Sequence, residues 1–474
     1  MTKTLALHPA RLLPSNPSTR EIALRLYSAV AGLPILSPHG HTDPAWFADN
    51  QPFSNATELL IKPDHYVFRM LHSQGIPLEA LGIRSRNTNI EVERDDRRIW
   101  RIFAEHYYLF AGTPSRMWLD HVFSEIFGID VVLNRDTADH YFDHINRLLA
   151  SEEFLPRNLL DRLNIQCIAT TESPLDDLRH HKKIIADGLG HRVITAYRPD
   201  NVVDPEFEGF HDNIKTFGQL TGCDTTTWQG YLAAHKVRRQ YFADHGATST
   251  DHGHPTATTA NLTNSECETL FNKVLANDFT PAEADLFRGQ VLTEMAGMSI
   301  EDGLTMQLHP GCVRNHNSYV YENFGRDKGA DIPDRTEYVH ALRPLLGKYG
   351  NDPRLKLILF TLDETVYSRE FAPLAGHYPS LFLGPAWWFH DSPEGMRRFR
   401  QQTTETAGFY NTVGFNDDTR AFLSIPARHD VARRMDCGFL AELVADHRLD
   451  EEEAKAIAVD LTFNLAKRAY NLPG

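Results

Sequence analysis

Residues 33–43, LPILSPHGHTD, join a short apolar run to a His-x-His pair. Leu33–Leu36 has the length and composition of a buried parallel strand. Side chains two residues apart in an extended chain point to one side, so His39 and His41 can reach a common ligand. A second interpretation is a pair of loop histidines that bond to nearby carbonyl groups. The stretch predicts a strand whose carboxyl end faces a functional site.

Similar apolar runs recur and alternate with segments of helical periodicity. The clearest are Ile165–Ala169, Arg192–Ala196, Leu304–Leu308, Leu355–Thr361, Ser380–Leu383 and Thr412–Phe415, with Ala247–Asp251 as a weak eighth. Eight parallel strands that alternate with helices close into a barrel, and the active site lies at their carboxyl ends. The sequence therefore predicts an α/β fold, a (β/α)₈ TIM-type barrel.

About 125 residues separate the first two predicted strands, too many for one crossover. Helical periodicity covers Ala56–Leu71, Arg97–Phe110, Pro114–Phe127 and Ala138–Leu149, and later Asn264–Ala276 and Pro281–Met298. We predict an N-terminal segment with the first barrel strand over 1–44 and an inserted helical subdomain over 45–160. Residues 161–474 form the remainder of the barrel with helical elaborations.

Composition narrows the function class. The 474 residues carry 48 Lys+Arg against 63 Asp+Glu, a net charge of −15. We expect neither nucleic-acid nor membrane binding, because an acidic chain without a basic patch repels both surfaces. Five scattered cysteines, and no apolar leader or spanning run, favour a reducing, cytoplasmic location. The 24 histidines point to metal or proton chemistry.

Two further strand ends carry ionisable groups. Asp418 follows the last predicted strand and is a candidate carboxylate ligand, although an aspartate there is also typical of a helix N-cap. Arg420, two residues on, is placed to hold an anion. His309 directly follows the strand Leu304–Leu308 and is a candidate general acid or base. The alternative is a strand-end histidine whose hydrogen bonds are only structural. Arg314 follows His309 and is a candidate to bind a carboxylate group.

The insertion adds Tyr66 and Arg69, which lie three residues apart on one helical face. Arg198 follows the third strand, and Trp387 and Trp388 follow the seventh. Aromatic residues at such positions are usually core, but beyond a strand end they can wall a sugar site.

Taken in order, these motifs resemble those of the uronate (glucuronate) isomerases, a branch of the metal-dependent amidohydrolase superfamily. The matching motifs, from Pro34 to the C-terminal region, are His39-x-His41, Asp64-His65-Tyr66-x-x-Arg69, Thr170-Thr171-Glu172-x-Pro174, Arg198-Pro199-Asp200, Gln307-Leu308-His309, Trp387-Trp388-Phe389-x-Asp391 and Asp418-x-Arg420-x-Phe422-Leu423-Ser424. The resemblance implies a distorted (β/α)₈ barrel with a helical insertion after the first strand.

The resemblance also implies an activity: conversion of D-glucuronate to D-fructuronate and of D-galacturonate to D-tagaturonate. His39, His41 and Asp418 would then ligate one divalent metal, Zn²⁺ by preference. Tyr66 and Arg420 would act at C1–C2, and His309 near the ring-opening end. The residues left to hold or wall the hexuronate would be Arg69, Arg198, Arg314, Trp387 and Trp388. A homo-oligomer is among the assemblies that the sequence allows.

Two other interpretations share these residues. A mononuclear amidohydrolase-type hydrolase would use the same His-x-His and Asp418 to activate water. The segment Asn164–Thr171 contains no lysine, which argues against a two-metal site. A barrel that serves only as a scaffold would not need histidine, aspartate, arginine and tyrosine at its strand ends.

Overall fold

The computed structural model describes residues 3–472. Seven parallel strands form one curled sheet in the order β1-β2-β3-β4-β5-β8-β9, and β6 and β7 form a separate antiparallel pair. The strands are β1 Ile35–Ser37, β2 Ile165–Glu172, β3 Val193–Tyr197, β4 Ser249–His252, β5 Thr305–Leu308, β6 Cys312–Val313, β7 Ile332–Pro333, β8 Leu357–Leu359 and β9 Leu381–Leu383. This arrangement is a distorted, TIM-type barrel sheet, as predicted.

The eighth barrel position differs from the prediction. Thr412–Phe415 does not form a regular strand, and a single parallel bridge joins Thr412 to Leu383. The weak candidate Ala247–Asp251 instead overlaps the regular strand β4, which pairs with β3 and β5. A segment of polar residues can form a strand when its backbone hydrogen-bonds to a strand on each side, and hydrophobic periodicity gives only a weak signal for such a strand.

Every α-helix between β1 and β2 belongs to the segment that we proposed as the insertion, 45–160, or touches its bounds. The helices up to β2 are α1 Pro17–Val30, α2 Pro44–Asp49, α3 Ala56–Leu60, α4 His65–His72, α5 Asp96–Glu105, α6 Pro114–His121, α7 Ala138–Leu149 and α8 Pro156–Arg162. The predicted helix Ala56–Leu71 is broken. Pro63 lacks an N–H, and the Asp64 carboxylate accepts a bond from the Tyr66 N–H at 2.9 Å, which starts a new helix there.

Two more predicted helices change type before they end. Residues 97–110 continue beyond α5 as a 3₁₀ turn, Tyr107–Phe110, and residues 114–127 continue beyond α6 as a π turn, Val122–Ile126. The later helices are α9 Arg179–Ala186, α10 Asp200–Val203, α11 Phe210–Thr221, α12 Trp228–Asp244, α13 Asn264–Leu275, α14 Pro281–Asp302, α15 Ser318–Phe324, α16 Arg343–Tyr349, α17 Ala372–Ala375, α18 Pro393–Ala407, α19 Ile425–Ala445, α20 Glu451–Val459 and α21 Leu465–Ala469.

Separate apolar clusters fill the barrel and pack the inserted helices. The barrel interior is filled by side chains such as Leu36, Ala169, Ile358 and Phe360. The inserted helices have a core of their own, which includes Trp100 and Phe123 and continues onto the outer face of β1 and β2. Among residues 3–472, no helix is long and apolar enough to cross a membrane.

Candidate active site

The loop after β1 brings both histidines of the His-x-His pair to one carboxylate. The Nε2 atoms of His39 and His41 lie 3.3 and 3.1 Å from the Oδ1 atom of Asp418. His39 is buried and His41 is half-buried. The same-side geometry expected of residues two apart is therefore realised at the strand end.

Asp418 is not a helix cap. The 3₁₀ turn Phe422–Ser424 begins after Ala421, and α19 begins at Ile425. Asp418 has a positive φ of 38°, a conformation that is sparsely populated outside glycine and clusters at functional sites. Its Oδ2 atom accepts a bond from the Trp387 indole N–H, whereas its buried Oδ1 atom has no hydrogen-bond partner.

His309 faces the same point from the end of β5. Its Nδ1–H donates to Asp251 Oδ1 at 2.7 Å, and its buried Nε2 has no hydrogen-bond partner. Its ring stacks on His39 with 4.7 Å between centroids. Potential ligand atoms of His39, His309 and Asp418 lie within 4.8 Å of one another.

These donors fit a divalent metal ion. Imidazole nitrogen and carboxylate oxygen are the ligands that zinc and its neighbours prefer. The unpartnered Nε2 of His309 and Oδ1 of Asp418 are the kind of buried polar atom that a cation satisfies. His39, His309 and Asp418 therefore form a candidate metal site, which includes His309 in addition to two of the three predicted ligands.

Asp251 links this cluster to Arg198. The Arg198 guanidinium lies 3.0 Å from Asp251 and 2.9 Å from Asp200. A Cβ atom at Gly253 would lie 2.5 Å from an Arg198 nitrogen, so a larger residue there would displace the guanidinium from its present position. Although burial opposes it, the pKa of the Asp251 carboxyl is held well below its usual range by Arg198 and His309.

A cavity of about 460 Å³ opens above these residues, a size typical of small-molecule sites. Ten of the predicted site residues line it: His39, His41, Tyr66, Arg198, His309, Arg314, Trp387, Trp388, Asp418 and Arg420. Arg69 does not line it. Its guanidinium lies over the Phe389 ring at 4.7 Å and the Tyr66 ring at 5.6 Å.

Arginines ring the mouth of the cavity. Arg314 pairs with Asp331 at 2.8 Å and lies over Trp388. The side chain of Arg420 is 39% exposed, and its nearest carboxylate is that of Asp327, at 3.6 Å. Of the two, Arg420 is held more loosely by its carboxylate, and a guanidinium in a cavity wall can bind an anionic ligand.

Tyr66 enters the cavity from the insertion. His65 stacks on its ring at 4.7 Å, and the guanidinium carbon of Arg428 lies 5.4 Å from the ring centroid. Burial raises the pKa of the Tyr66 phenol, and Arg428 opposes that rise. The guanidinium groups at the Tyr66 ring are thus those of Arg69 and Arg428, while Arg420 faces Asp327.

The chain was compared with known families and proteins. The glucuronate isomerase family matches residues 17–470. A uronate isomerase of Xanthomonas euvesicatoria is 66% identical over 99% of this chain and 100% of its own length.

The chain belongs to the glucuronate isomerase family.

Solved structures agree with this assignment. The glucuronate isomerase of Caulobacter crescentus superposes with a TM-score of 0.97 and 60% identity, over 100% of this chain and 98% of its own. The uronate isomerase of Thermotoga maritima gives a TM-score of 0.91 and 25% identity, over 98% and 99% of the two chains. The resemblance and the fold inferred from the motifs are confirmed.

In this member of the glucuronate isomerase family, sequence reasoning missed several residues of the site. Asp251 ends the weakly predicted strand Ala247–Asp251, and that weak signal gave no reason to single it out as a site residue. Arg428 and Asp391 lie behind Tyr66 and pair with each other at 2.6 Å. Arg428 has the helical spacing of an ordinary core position in α19, so nothing local marks it. Glu172 lines the cavity; like Asp391, it was quoted only as part of a motif.

Proposed function

We propose that this protein interconverts D-glucuronate with D-fructuronate, and D-galacturonate with D-tagaturonate, in hexuronate catabolism. One observation carries the proposal: a single cavity is bounded by a candidate metal cluster, a tyrosine and several arginines. Such a cavity suits a small polyhydroxylated acid. The activity itself is inferred from the family membership.

We propose His39, His41 and Asp418 as the metal ligands and Zn²⁺ as the metal. Both Nε2 atoms approach Asp418 Oδ1 without forming a hydrogen bond with it, which supports a shared third partner. When bound, such a cation polarises a substrate oxygen as a Lewis acid. With His41 as the third ligand in place of His309, the Nε2 lone pair of His309 is not used by the metal. It can therefore accept a proton.

Ring opening is assigned to His309. Asp251 holds its Nδ1–H, so the Nε2 atom presents its lone pair to the cavity. It accepts the proton of the C1 hydroxyl as the bond from C1 to the ring oxygen breaks, and the ring oxygen takes up a proton. The product is the open-chain aldehyde.

Isomerisation is assigned to Tyr66 and Arg420. The phenolate removes the proton from C2 while the C1 oxygen is protonated, which gives a cis-enediol. The phenol exchanges that proton with solvent at the enediol stage and delivers a proton to C1 as the C2 hydroxyl loses its own, so the carbonyl moves from C1 to C2. Arg420 lines the cavity and stabilises negative charge on oxygen.

Arg198 and Arg314 are the proposed partners of the substrate carboxylate. Both line the cavity, whereas Arg69 does not and packs on the rings of Phe389 and Tyr66. Trp387 and Trp388 wall the pocket. The proposed location is the cytoplasm, in keeping with the free cysteines.

The test is an isomerase assay on protein of known metal content, with D-glucuronate and D-galacturonate as separate substrates and ketose as the readout. Turnover of either sugar supports the proposal and ranks the two. Protein that holds about one metal ion per chain and turns over neither sugar would contradict it. A lactone and amide screen for the hydrolase alternative would then follow.

A further inference from the structure

Arg428 is a buried cation that the reaction scheme above does not use. Its side chain is 1% exposed and lies on α19, behind the cavity wall. Nη1 donates to Asp391 Oδ2 at 2.6 Å, and Nε donates to Ser424 Oγ at 3.1 Å. The guanidinium stacks 3.6 Å from the Trp118 ring and faces the Tyr66 ring at 5.4 Å.

These contacts join parts of the fold that are distant in sequence. Tyr66 and Trp118 come from α4 and α6 of the insertion and pack edge-to-face at 5.8 Å. Asp391 follows the last regular barrel strand, β9, and Arg428 lies on the helix that follows the eighth barrel position. Arg428 therefore bridges the barrel and the inserted helices at the tyrosine that enters the cavity.

Arg428 also contributes to the electrostatic surroundings of Tyr66. The charged and titratable groups that act on the phenol are Asp64, His65 and Arg69 on or beside its own helix, Arg428 on α19, and Asp391 and Asp418 on the barrel loops. Three of these are carboxylates, and burial also disfavours the phenolate. Arg428 is the buried positive charge at the ring face, where a cation interacts favourably.

A contribution to stability does not by itself explain why Arg428 and Asp391 are buried as an ion pair. A buried ion pair often contributes little net stability, because both ions lose their hydration. The same helix offers a natural counterpart: Arg434 is also buried, pairs with Asp430 at 2.9 Å and lies 4.2 Å over the ring of Tyr27, a tyrosine that does not line the cavity.

We propose that Arg428 is a positioning residue for the isomerisation: it holds the Tyr66 ring against the barrel and faces it with a positive charge that Asp391 orients. This inference rests on the proposed role of Tyr66 as the base. Arg428 does not line the cavity, so it acts through Tyr66 and not on the substrate.

The experiment replaces Tyr66 with difluorotyrosine and follows its ionisation by fluorine NMR as pH is raised. Arg428→Gln is expected to raise the pKa of that phenol by about 1 or more, the effect of a lost neighbouring charge. Arg434→Gln, the matched control, leaves it unchanged. Asp391→Asn keeps a side-chain oxygen that can accept the Arg428 hydrogen bond but removes a negative charge, so it lowers the phenol pKa.

Turnover of the natural protein supplies the second readout. Arg428→Gln is expected to lower kcat by about tenfold or more with little change in KM, since about 1.4 kcal/mol corresponds to a factor of ten. Arg428→Lys restores part of the loss, and difluorotyrosine at position 66 restores part of it in the Gln variant.

An unchanged phenol pKa in Arg428→Gln, or a drop in kcat that Arg434→Gln reproduces, would overturn the proposal. If Arg428→Gln does not fold, Asp391→Asn decides, and an unchanged or raised phenol pKa there overturns it. The titration needs no substrate. A wild-type protein without uronate turnover would therefore refute the proposed function. The NMR result would still show whether Arg428 lowers the pKa of the phenol at position 66.

Discussion

The barrel and the inserted helices both supply side chains to the cavity, but they hold them differently. His39, His41, His309 and Asp418 follow strand positions whose backbones are fixed by parallel pairing or by the bridge next to them. Tyr66 stands on the eight-residue helix α4, and aromatic stacking and buried charges hold it in place. The strand ends can build a metal site, whereas the insertion can place a base above it.

The largest effect is expected on the barrel side. Asp418→Asn should lower metal content and lower kcat/KM by about 100-fold or more, because the charged oxygen that both histidines approach is lost. Metal analysis and the isomerase assay on one preparation measure both. Asp417→Asn is the control: Asp417 is the adjacent carboxylate, is more deeply buried and pairs with His429 at 3.0 Å, and that variant should keep its metal. Full activity in Asp418→Asn would remove this residue from the site.

Tyr66→Phe tests the insertion side. It should lower kcat by about 100-fold or more, the usual contribution of a positioned base, yet leave metal content unchanged. A variant that lost its metal would show that the two regions are not separable in this way.

His41 and His309 sharpen the boundary within the barrel. His41→Gln is expected to lose metal, whereas His309→Gln should retain it and lose about 100-fold in kcat. Metal analysis of the two variants decides the assignment. The reverse pattern would make His309 the ligand and would require another group for ring opening.

Glu172 predicts a pH dependence of stability. Burial raises the pKa of this carboxyl from 4.5 to about 8, so the folded protein keeps a proton that the unfolded chain releases. The resulting stabilisation is complete below pH 4.5 and is lost as pH rises to about 8. Glu172→Gln should remove this part of the slope, roughly 2 to 5 kcal/mol across the interval. Denaturant unfolding at several pH values measures it, and parallel curves for wild type and variant would refute it.

The smallest effect concerns the contact between the barrel loop and the insertion. Gly329 has a φ of +72°, and a Cβ there would lie 2.9 Å from Arg69 Cβ and 3.2 Å from the His65 carbonyl oxygen. Gly329→Ala should cost about 1 to 2 kcal/mol and lower kcat several-fold by moving α4. Gly128, with a φ of +66° and open space around it, is the matched control for backbone strain alone. Equal kcat in Gly329→Ala and Gly128→Ala would argue against the contact.

The same contrast explains what the sequence could predict. His39, His41 and Asp418 could be found because strand periodicity places them at one end of a sheet. The break between α3 and α4 could have been read from Pro63 and Asp64, which are local signals. Asp251 was hidden because Ser249–His252 is polar. The cluster of Arg428, Asp391 and Trp118 could not be predicted, because only tertiary packing brings those three segments together.

Isomerisation of D-glucuronate by the wild-type protein in D₂O tests the central claim most directly, with the ketose product examined for deuterium at C1. Proton transfer by Tyr66 through an enediol predicts deuterium from the solvent at C1. A ketose formed at the full rate with no solvent deuterium at C1 would indicate direct hydride transfer from C2 and would contradict the account.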